Sequence, residues 1–172
     1  ITFTLYNSTG SVNISTFDSI GNRSFNWTSL SDGVYTYNAT ATDQANNRNT
    51  TATRTITIDT TLPIVAFGGS GNSNNGANVS RNWIFVNVSI TETNVANVTF
   101  WLYNSTGFVN QTNQTNFNSA ITNASLNFTG LSDGIYTYNA TVTDIVGNQN
   151  LTLSARTITI DTTLPIVAFG GS

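Results

Sequence analysis

The chain has 172 residues, of which 38% are hydrophobic and only 8% are charged, and its formal net charge is −3. This apolar content supports packed cores and excludes a disordered tract. Five basic residues without a basic patch give nucleic-acid phosphates little to bind. No apolar run approaches the ~20 residues that a membrane-spanning helix needs.

Histidine and cysteine are absent from the sequence. Their absence excludes Ser–His and Cys–His nucleophile pairs and the usual zinc ligands. Six of the eight acidic residues recur at turns or joints of a repeat, which is the behaviour of turn formers and not of the facing pair that a hydrolase needs. We therefore expect neither an enzyme nor a cofactor, and an accessory domain of an enzyme would need a catalytic domain elsewhere.

Three sequence blocks in the first part of the chain return about 100 residues later in the same order. ITFTLYNSTG at 1–10 returns as VTFWLYNSTG at 98–107, and SDGVYTYNATATD at 31–43 returns as SDGIYTYNATVTD at 132–144. TITIDTTLPIVAFGGS is identical at 55–70 and 157–172. The period of about 100 residues is the size of one β-sandwich domain.

The repeat predicts three parts: 1–61, a partial repeat without its first strands; 62–161, a complete repeat; and 162–172, the first strand of a following repeat. The segment DTTLP at 59–63 is the predicted joint, and its shortness predicts a fairly fixed angle between neighbouring domains. Because the chain begins with Ile1 and contains no Met, we expect an excerpt or processed piece of a longer precursor.

Apolar and polar residues alternate with a period of two, which gives each strand one buried and one solvent-facing side. Turn sequences such as Ser-Asp-Gly at 132–134 separate the strands, and no helical periodicity of useful length occurs. Pro63 and Pro165 stand where a first edge strand begins, a place that tolerates a missing amide. We predict an antiparallel sandwich with six or seven strands per repeat. The predicted inward-facing residues are Ile84, Val86, Val88, Ile90, Val98, Phe100, Leu102, Ala124, Leu126, Phe128, Tyr136, Tyr138, Ala140, Val142, Ile158 and Ile160.

The joint DTTLPIV, the strand SDGIYTYNATVTD and the turn IVGNQN together resemble bacterial and archaeal Ig-like repeats of surface proteins. The resemblance covers essentially the whole chain. It implies an all-β fold of tandem immunoglobulin-like antiparallel β-sandwich repeats of ~100 residues each. It also implies that Tyr35 and Tyr136 occupy the position of a tyrosine corner, and simple burial of the two rings is the alternative.

N-glycosylation sequons are twice as frequent as chance predicts. The 26 Asn, 31 Thr and 17 Ser of the chain predict about seven sequons, whereas 16 occur. Outward strand positions favour Thr but disfavour Asn, so strand propensity does not explain the excess. We predict covalent N-linked glycans, which in a prokaryote point toward archaea. The alternative is that the sequons are unmodified and arise as a by-product of an Asn/Thr-rich strand face. The sequons begin at Asn7, Asn13, Asn22, Asn26, Asn38, Asn49, Asn78, Asn87, Asn97, Asn104, Asn110, Asn113, Asn123, Asn127, Asn139 and Asn150.

Two other groups of residues are weaker candidates for binding. Asp43, Asp59, Asp144 and Asp161 lie toward the joints, where calcium binds clustered carboxylates, but a role as turn formers is the favoured interpretation. Trp101 and Tyr103 fall on an outer face and could contact a partner, or pack beneath a sugar or against a neighbouring domain. Trp27 aligns with Phe128 and is predicted to lie in the core, whereas Trp83 stays undecided.

These features predict a structural segment of a glycosylated extracellular filament, stalk or sheath at the cell surface, whose partners are neighbouring repeats or subunits. Polymerisation by strand complementation is a variant, in which residues 162–172 of one subunit complete the sandwich of the next. A single donated strand would not restore a missing second strand, which favours an excerpt from a longer array. The alternative function is an adhesin module that binds a cell-surface or carbohydrate partner.

Overall fold

The computed structural model describes residues 1–18, 21, 23–68, 73–152 and 154–169. Contacts divide the chain into two compact units, Ile1–Thr61 and Leu62–Ser172. Every regular element in the described residues is a β-strand, which confirms the predicted all-β fold. No helix able to cross a membrane occurs in those residues.

The first unit is a single antiparallel sheet of five strands. Its order is β2-β1-β3-β4, and β5 also pairs with β3. The alternating sequence of β3 puts Tyr35 and Tyr37 on one face and Thr36 and Asn38 on the other. The strands are β1 (Thr2–Asn7), β2 (Gly10–Thr16), β3 (Gly33–Thr42), β4 (Arg48–Thr50) and β5 (Arg54–Ile58).

The second unit has two sheets. The larger sheet has the order β10-β9-β12-β14-β7, with β13 paired to β12, and the smaller sheet has the order β11-β8-β6. The strands are β6 (Ile64–Phe67), β7 (Ala77–Val79), β8 (Ile84–Thr91), β9 (Val95–Asn104), β10 (Gly107–Ser119), β11 (Asn123–Phe128), β12 (Gly134–Asp144), β13 (Gln149–Leu151) and β14 (Arg156–Ile160).

The two sheets of the second unit enclose one hydrophobic core. Strand β8 contributes every second residue from Ile84 to Ile90, and β12 does the same from Tyr136 to Val142. Leu126 lies at the edge of this core and is only partly buried. The predicted inward-facing residues therefore fill the sandwich. The buried core consists of Val65, Ile84, Val86, Val88, Ile90, Val95, Val98, Phe100, Leu102, Ala124, Phe128, Tyr136, Tyr138, Ala140, Val142, Ile158 and Ile160.

The corresponding face of the first unit is largely uncovered. In its described residues, only Leu5 and Tyr35 are buried hydrophobic side chains. Ile56, in β5, has 44% of its surface exposed, whereas Ile158, at the equivalent position of β14, is fully buried. The two residues have the same strand partner, since Ile56 lies opposite Tyr35 and Ile158 lies opposite Tyr136. A second sheet therefore accounts for the difference.

Three features of the second unit differ from the prediction of six or seven antiparallel strands. The described residues of this unit form nine strands, two of which, β7 and β13, are only three residues long and carry no readable alternation. Strand β7 pairs with β14 in parallel. Strand β10 has an Asn-, Gln- and Thr-rich sequence that gave no apolar pattern, and register shifts interrupt its ladder with β9.

Both predicted tyrosine corners form. The Tyr35 hydroxyl donates to the Ser31 carbonyl oxygen at 3.0 Å, and the Tyr136 hydroxyl donates to the Ser132 carbonyl oxygen at the same distance. Both rings are also buried, so the hydroxyls satisfy their hydrogen-bonding capacity on the backbone just upstream. The contact fixes the turn that leads into β3 and its counterpart β12.

Substitution of the paired isoleucines tests the contrast between the units. Ile158→Ala is expected to lower the free energy of unfolding of the second unit by about 2–5 kcal/mol, because it leaves a cavity in a closed core. Ile56→Ala is expected to cost less than about 1 kcal/mol at its half-exposed site. Equilibrium urea unfolding with unit-resolved hydrogen exchange measures both. Equal costs would contradict the described difference in burial.

Candidate functional site

A hydrogen-bonded clasp closes the end of each unit. In the first unit, Asp32 Oδ1 accepts from the Thr60 amide at 3.0 Å and the Thr60 hydroxyl at 2.8 Å, and its Oδ2 accepts from the Thr61 hydroxyl at 2.8 Å. Asp59 Oδ1 adds a bond from the Thr61 amide at 3.1 Å. We call this set of residues the joint clasp, because Thr60 and Thr61 belong to the predicted joint.

The second unit repeats the joint clasp with nearly the same dimensions. Asp133 Oδ1 accepts from the Thr162 amide at 2.9 Å and the Thr162 hydroxyl at 2.7 Å, and its Oδ2 accepts from the Thr163 hydroxyl at 2.7 Å. Asp161 Oδ1 accepts from the Thr163 amide at 3.1 Å. The clasp thus ties the segment that follows the last strand to the turn that precedes β3 or β12.

The hydroxyl and amide donors favour the ionised form of each clasp carboxyl. Hydrogen bonds from the Thr61 hydroxyl and then from Thr60 lower the pKa of Asp32 below its ordinary value. The hydroxyls of Thr162 and Thr163 lower the pKa of Asp133 in the same way. Sequence reasoning placed these acids at turns but did not identify their threonine partners, which lie about 30 residues away.

The four calcium candidates are bound into turns. Asp43 accepts from the amide and the side chain of Asn47, both at 2.8 Å, and these bonds lower the pKa of its carboxyl. Asp144 is buried, and it accepts from three successive amides and from the Asn148 side chain. Asp59 and Asp161 belong to the joint clasps. The described residues contain no group of three metal-binding side chains, and the geometry favours the turn-forming role.

The sequon asparagines lie on the surface of both units. Each of the 15 within the described residues is exposed or half-buried, and Asn22 lies outside the described residues. The exposed ones are Asn7, Asn13, Asn26, Asn49, Asn78, Asn110, Asn113, Asn123 and Asn127, and the half-buried ones are Asn38, Asn87, Asn97, Asn104, Asn139 and Asn150. Accessibility therefore permits modification at many of these sites.

Two sequons occupy the tips of equivalent hairpins. At Asn7, the side-chain oxygen accepts from the Thr9 amide at 2.9 Å and from the Thr9 hydroxyl at 2.7 Å. Asn104 and Thr106 repeat both bonds at the same distances. Because only the amide oxygen takes part, these bonds leave the side-chain nitrogen, the atom that carries an N-linked glycan, uninvolved.

Two other sequons differ from the hairpin tips in the surroundings of the asparagine side chain. The Asn150 side-chain nitrogen donates to the Pro63 carbonyl oxygen at 2.8 Å, and its oxygen accepts from the Leu151 amide. Asn139 has a buried side-chain oxygen without a hydrogen-bond partner. It lies opposite Trp101, whose indole nitrogen donates to the Thr141 hydroxyl of the same sequon at 3.1 Å. The Asn150 side-chain nitrogen is therefore engaged within the unit, and the Asn139 side-chain oxygen is shielded from solvent.

The tryptophans and Tyr103 are placed by packing. Trp101 and Tyr103 are half-buried on the outer face, where Trp101 is fixed by Thr141 and Tyr103 packs edge-on against Phe108. Trp83 lies beneath the Arg81 guanidinium at 4.0 Å. Trp27 lies on the predicted inner face, where it packs against Tyr37. Its predicted burial in a core is wrong, because the ring is only half-buried in the uncovered first unit.

Sequence reasoning missed a polar cluster around Ser73. The buried Ser73 hydroxyl accepts from Arg81 at 3.1 Å, and the Ser73 carbonyl oxygen accepts from Arg156 at 3.4 Å and from the Tyr138 hydroxyl. Burial raises the pKa of Tyr138, an effect that Arg156 partly offsets. Tyr138 and Arg156 lie 65 and 83 residues from Ser73, so no local motif reveals the cluster.

The joint clasps predict a specific acid sensitivity. Folding lowers the pKa of Asp32 and Asp133 from 3.8, so the clasps contribute fully above that pH and lose their contribution as the pH falls through the lower folded values. We expect the double variant Asp32→Asn, Asp133→Asn to show a smaller fall in melting temperature below about pH 4 than the parent chain. Thermal unfolding across this range measures the difference.

Asp18→Asn is the matched control for this prediction, since it removes an exposed carboxylate outside the clasps. The control is expected to retain the acid sensitivity of the parent chain. Identical pH profiles for the parent and the double clasp variant would show that the clasps contribute no charge-dependent stability.

Comparison with known proteins gives one family match and three similar solved structures. Residues 1–60 match the family model of the bacterial Ig-like domain. No curated protein is similar enough to count as a match. One similar solved structure is an engineered protein, with 19% sequence identity, 58% of this chain covered and a TM-score of 0.42. Another is dimeric latent PorU from Porphyromonas gingivalis, with 17% identity, 78% of this chain covered and a TM-score of 0.45. A third is a tetra-tandem repeat in the extending region of a large adhesion protein, with 22% identity, 94% of this chain covered and a TM-score of 0.46.

The chain spans 20%, 13% and 42% of the lengths of those three solved chains, respectively. The fold therefore rests on the strands, the tyrosine corners and the family match. The chain is an all-β protein of tandem Ig-like units, and its residues 1–60 match the bacterial Ig-like domain family.

Proposed function

We propose that the chain is a structural segment of an extracellular, N-glycosylated stalk, sheath or filament built from tandem Ig-like domains. The observation that carries this proposal is the joint clasp, which recurs in both units around Asp32 and Asp133. A binding module would need only its loops to be positioned, whereas a spacer needs the chain to leave every domain in a fixed direction. The same hydrogen-bonded arrangement at the end of both units meets that need.

The surface chemistry supports an extracellular location. Only 8% of the residues are charged, so Asn, Thr and Ser supply most of the polar surface. Glycans on the accessible sequons would supply the solubility that charge provides in other proteins and would shield the backbone from proteases. No catalytic role is part of this proposal, and neither nucleic acid nor a metal ion is an expected partner.

Polymerisation by strand complementation is the less favoured form of this function. Residues 164–169 repeat the LPIVAF sequence that contains β6, and Leu164, Ile166 and Phe169 are almost fully exposed. Strand β6, however, obtains its ladder partner within the described residues from β8. A tail donated alone would lack that partner. We therefore favour a covalent tandem array over a polymer of short subunits.

The adhesin alternative depends on Trp101 and Tyr103 as a contact surface. Both side chains are half-buried, and Trp101 already donates to Thr141. An aromatic ligand platform normally presents a ring face to solvent. A spacer role is the better supported of the two functions.

Glycopeptide mass spectrometry of the protein from its native source tests the proposed sugar coat. We expect glycans at most accessible sequons, with high occupancy at the hairpin tips Asn7 and Asn104. Occupancy should be lower at Asn150, whose side-chain nitrogen donates to Pro63, and at Asn139, whose side-chain oxygen is buried. Exposed asparagines outside sequons, such as Asn47 and Asn116, serve as internal negative controls.

Protease treatment of intact cells tests the location in the same preparation. We expect the released peptides to include both units and to carry the glycans. Unmodified sequons throughout the chain, or protection of the protein until the cells are lysed, would contradict a glycosylated surface segment.

A further inference from the structure

One sheet face of the first unit is an unfilled half of a sandwich. We call it the open face and define it by Phe3, Tyr37, Ala39 and Ile56 of the sheet together with Trp27. None of these five side chains is buried. An apolar sheet face of this size is normally covered by another layer of structure.

The second unit provides a matched internal control. The residues equivalent to Phe3, Tyr37, Ala39 and Ile56 are fully buried there, and they are Phe100, Tyr138, Ala140 and Ile158. Positions on the opposite face do not differ in this way, since Val34 and its equivalent Ile135 are 58% and 57% exposed. The exposure of the first unit is therefore confined to the face that a second sheet covers in the second unit.

Aromatic rings line a hollow on the open face. Trp27 packs against Phe25 with ring centroids 5.5 Å apart and against Tyr37 with centroids 5.9 Å apart. These rings, Phe3 and Ala39 border a hollow of about 340 Å³. The Trp27 indole nitrogen is buried without a hydrogen-bond acceptor.

The second unit also shows which strands fill the equivalent space. Strands β6 and β8 lie over its larger sheet, with Val65 and every second residue of β8 in the core. Phe67 packs edge-on against Tyr138, with ring centroids 5.6 Å apart, and Arg156 lies over Phe67 at 4.3 Å. The first unit keeps Tyr37 and Arg54 at the equivalent positions, so it retains the receiving side of these contacts.

Residues 23–28 give a second sign of a missing strand. The counterparts of residues 23–27 in the second unit belong to β11, which pairs with β8 from Asn123 opposite Ser89 to Phe128 opposite Ile84. Residues 23–28 form no strand. A β8-type strand would supply the ladder partner that converts this segment into the third strand of the smaller sheet.

The topology of the second unit indicates the source of the strands. Three residues separate the end of β8 at Thr91 from the start of β9 at Val95. Val98 of β9 corresponds to Ile1. A strand that covers β1 in the same way therefore reaches it most directly along the same polypeptide, a few residues ahead of β1.

We infer that the open face is the docking surface for a β6–β8 strand pair that belongs to the same repeat as the first unit and precedes β1 on the same polypeptide. This inference rests on the proposed function only for the existence of a longer tandem polypeptide. The pair brings a Phe67-type ring to Tyr37 and Arg54, and it brings a β8-type strand alongside residues 23–28. The first unit then becomes a closed sandwich like the second.

Adding the strand pair to the full chain tests this inference. A copy of residues 62–97 is placed directly ahead of Ile1, which reproduces the connection found in the second unit. We expect β3 and β5 to gain hydrogen-exchange protection to the level of β12 and β14. We also expect the fluorescence emission of Trp27 to shift to shorter wavelength. For this measurement Trp83, Trp101 and the tryptophan of the added copy are replaced by Phe, so that Trp27 is the one remaining tryptophan.

A matched control carries Val86→Asp and Val88→Asp in the added copy alone, where both substitutions put a charge into the core. It should leave β3 and β5 as exchange-sensitive as in the parent chain. As a second measurement, a synthetic peptide of residues 62–91 added to the parent chain should protect β3 and β5, whether or not the extended chain expresses well.

Two results would overturn the inference. One is unchanged exchange of β3 and β5 in both the extended chain and the peptide mixture, while β12 and β14 stay protected. The other is concentration-dependent protection of the open face in the parent chain that disappears when residues 164–169 are changed to serine, which would assign the face to the tail of a second copy. Neither result bears on the glycan and surface tests, so the two proposals fail separately.

Discussion

Burial of one sheet face against a second sheet is the interaction on which the structure depends. Phe100, Tyr138 and Ile158 are inaccessible to solvent because β6 and β8 lie over them. Their equivalents Phe3 and Tyr37 belong to a sheet with the same pairing but without that cover. Backbone hydrogen bonds form in both units, so the second layer makes the difference between a closed and an open core.

The polar contacts that recur in both units lie at the ends of the sandwich. The tyrosine corners at Tyr35 and Tyr136 have equal hydrogen-bond lengths, and the joint clasps at Asp32 and Asp133 agree within about 0.1 Å. The first unit keeps these contacts although its apolar face is uncovered. They are local to one turn and one joint, which explains why they do not depend on the second sheet. A repeated domain with a repeated exit is what an extended surface structure needs.

The sequence was sufficient for the fold because its signals are local and repeated. The alternation from Ile84 to Ile90 identified β8 and its buried face, and the Ser-Asp-Gly-Ile-Tyr motif identified the tyrosine corner. Strand β10 was not recognisable, since its Asn-, Gln- and Thr-rich sequence has no apolar period. The threonine partners of Asp133 were also beyond reach, because they lie 29 and 30 positions away. The bonds from Tyr138 and Arg156 to Ser73 join residues 65 and 83 positions apart.

The intact mass of the native protein, before and after chemical deglycosylation, tests the central claim most directly. A tandem, glycosylated array predicts a large loss of mass on deglycosylation and a remaining polypeptide longer than this chain by further repeats of about 100 residues each. A polypeptide of 18.4 kDa that loses no mass on deglycosylation would contradict both the array and the sugar coat.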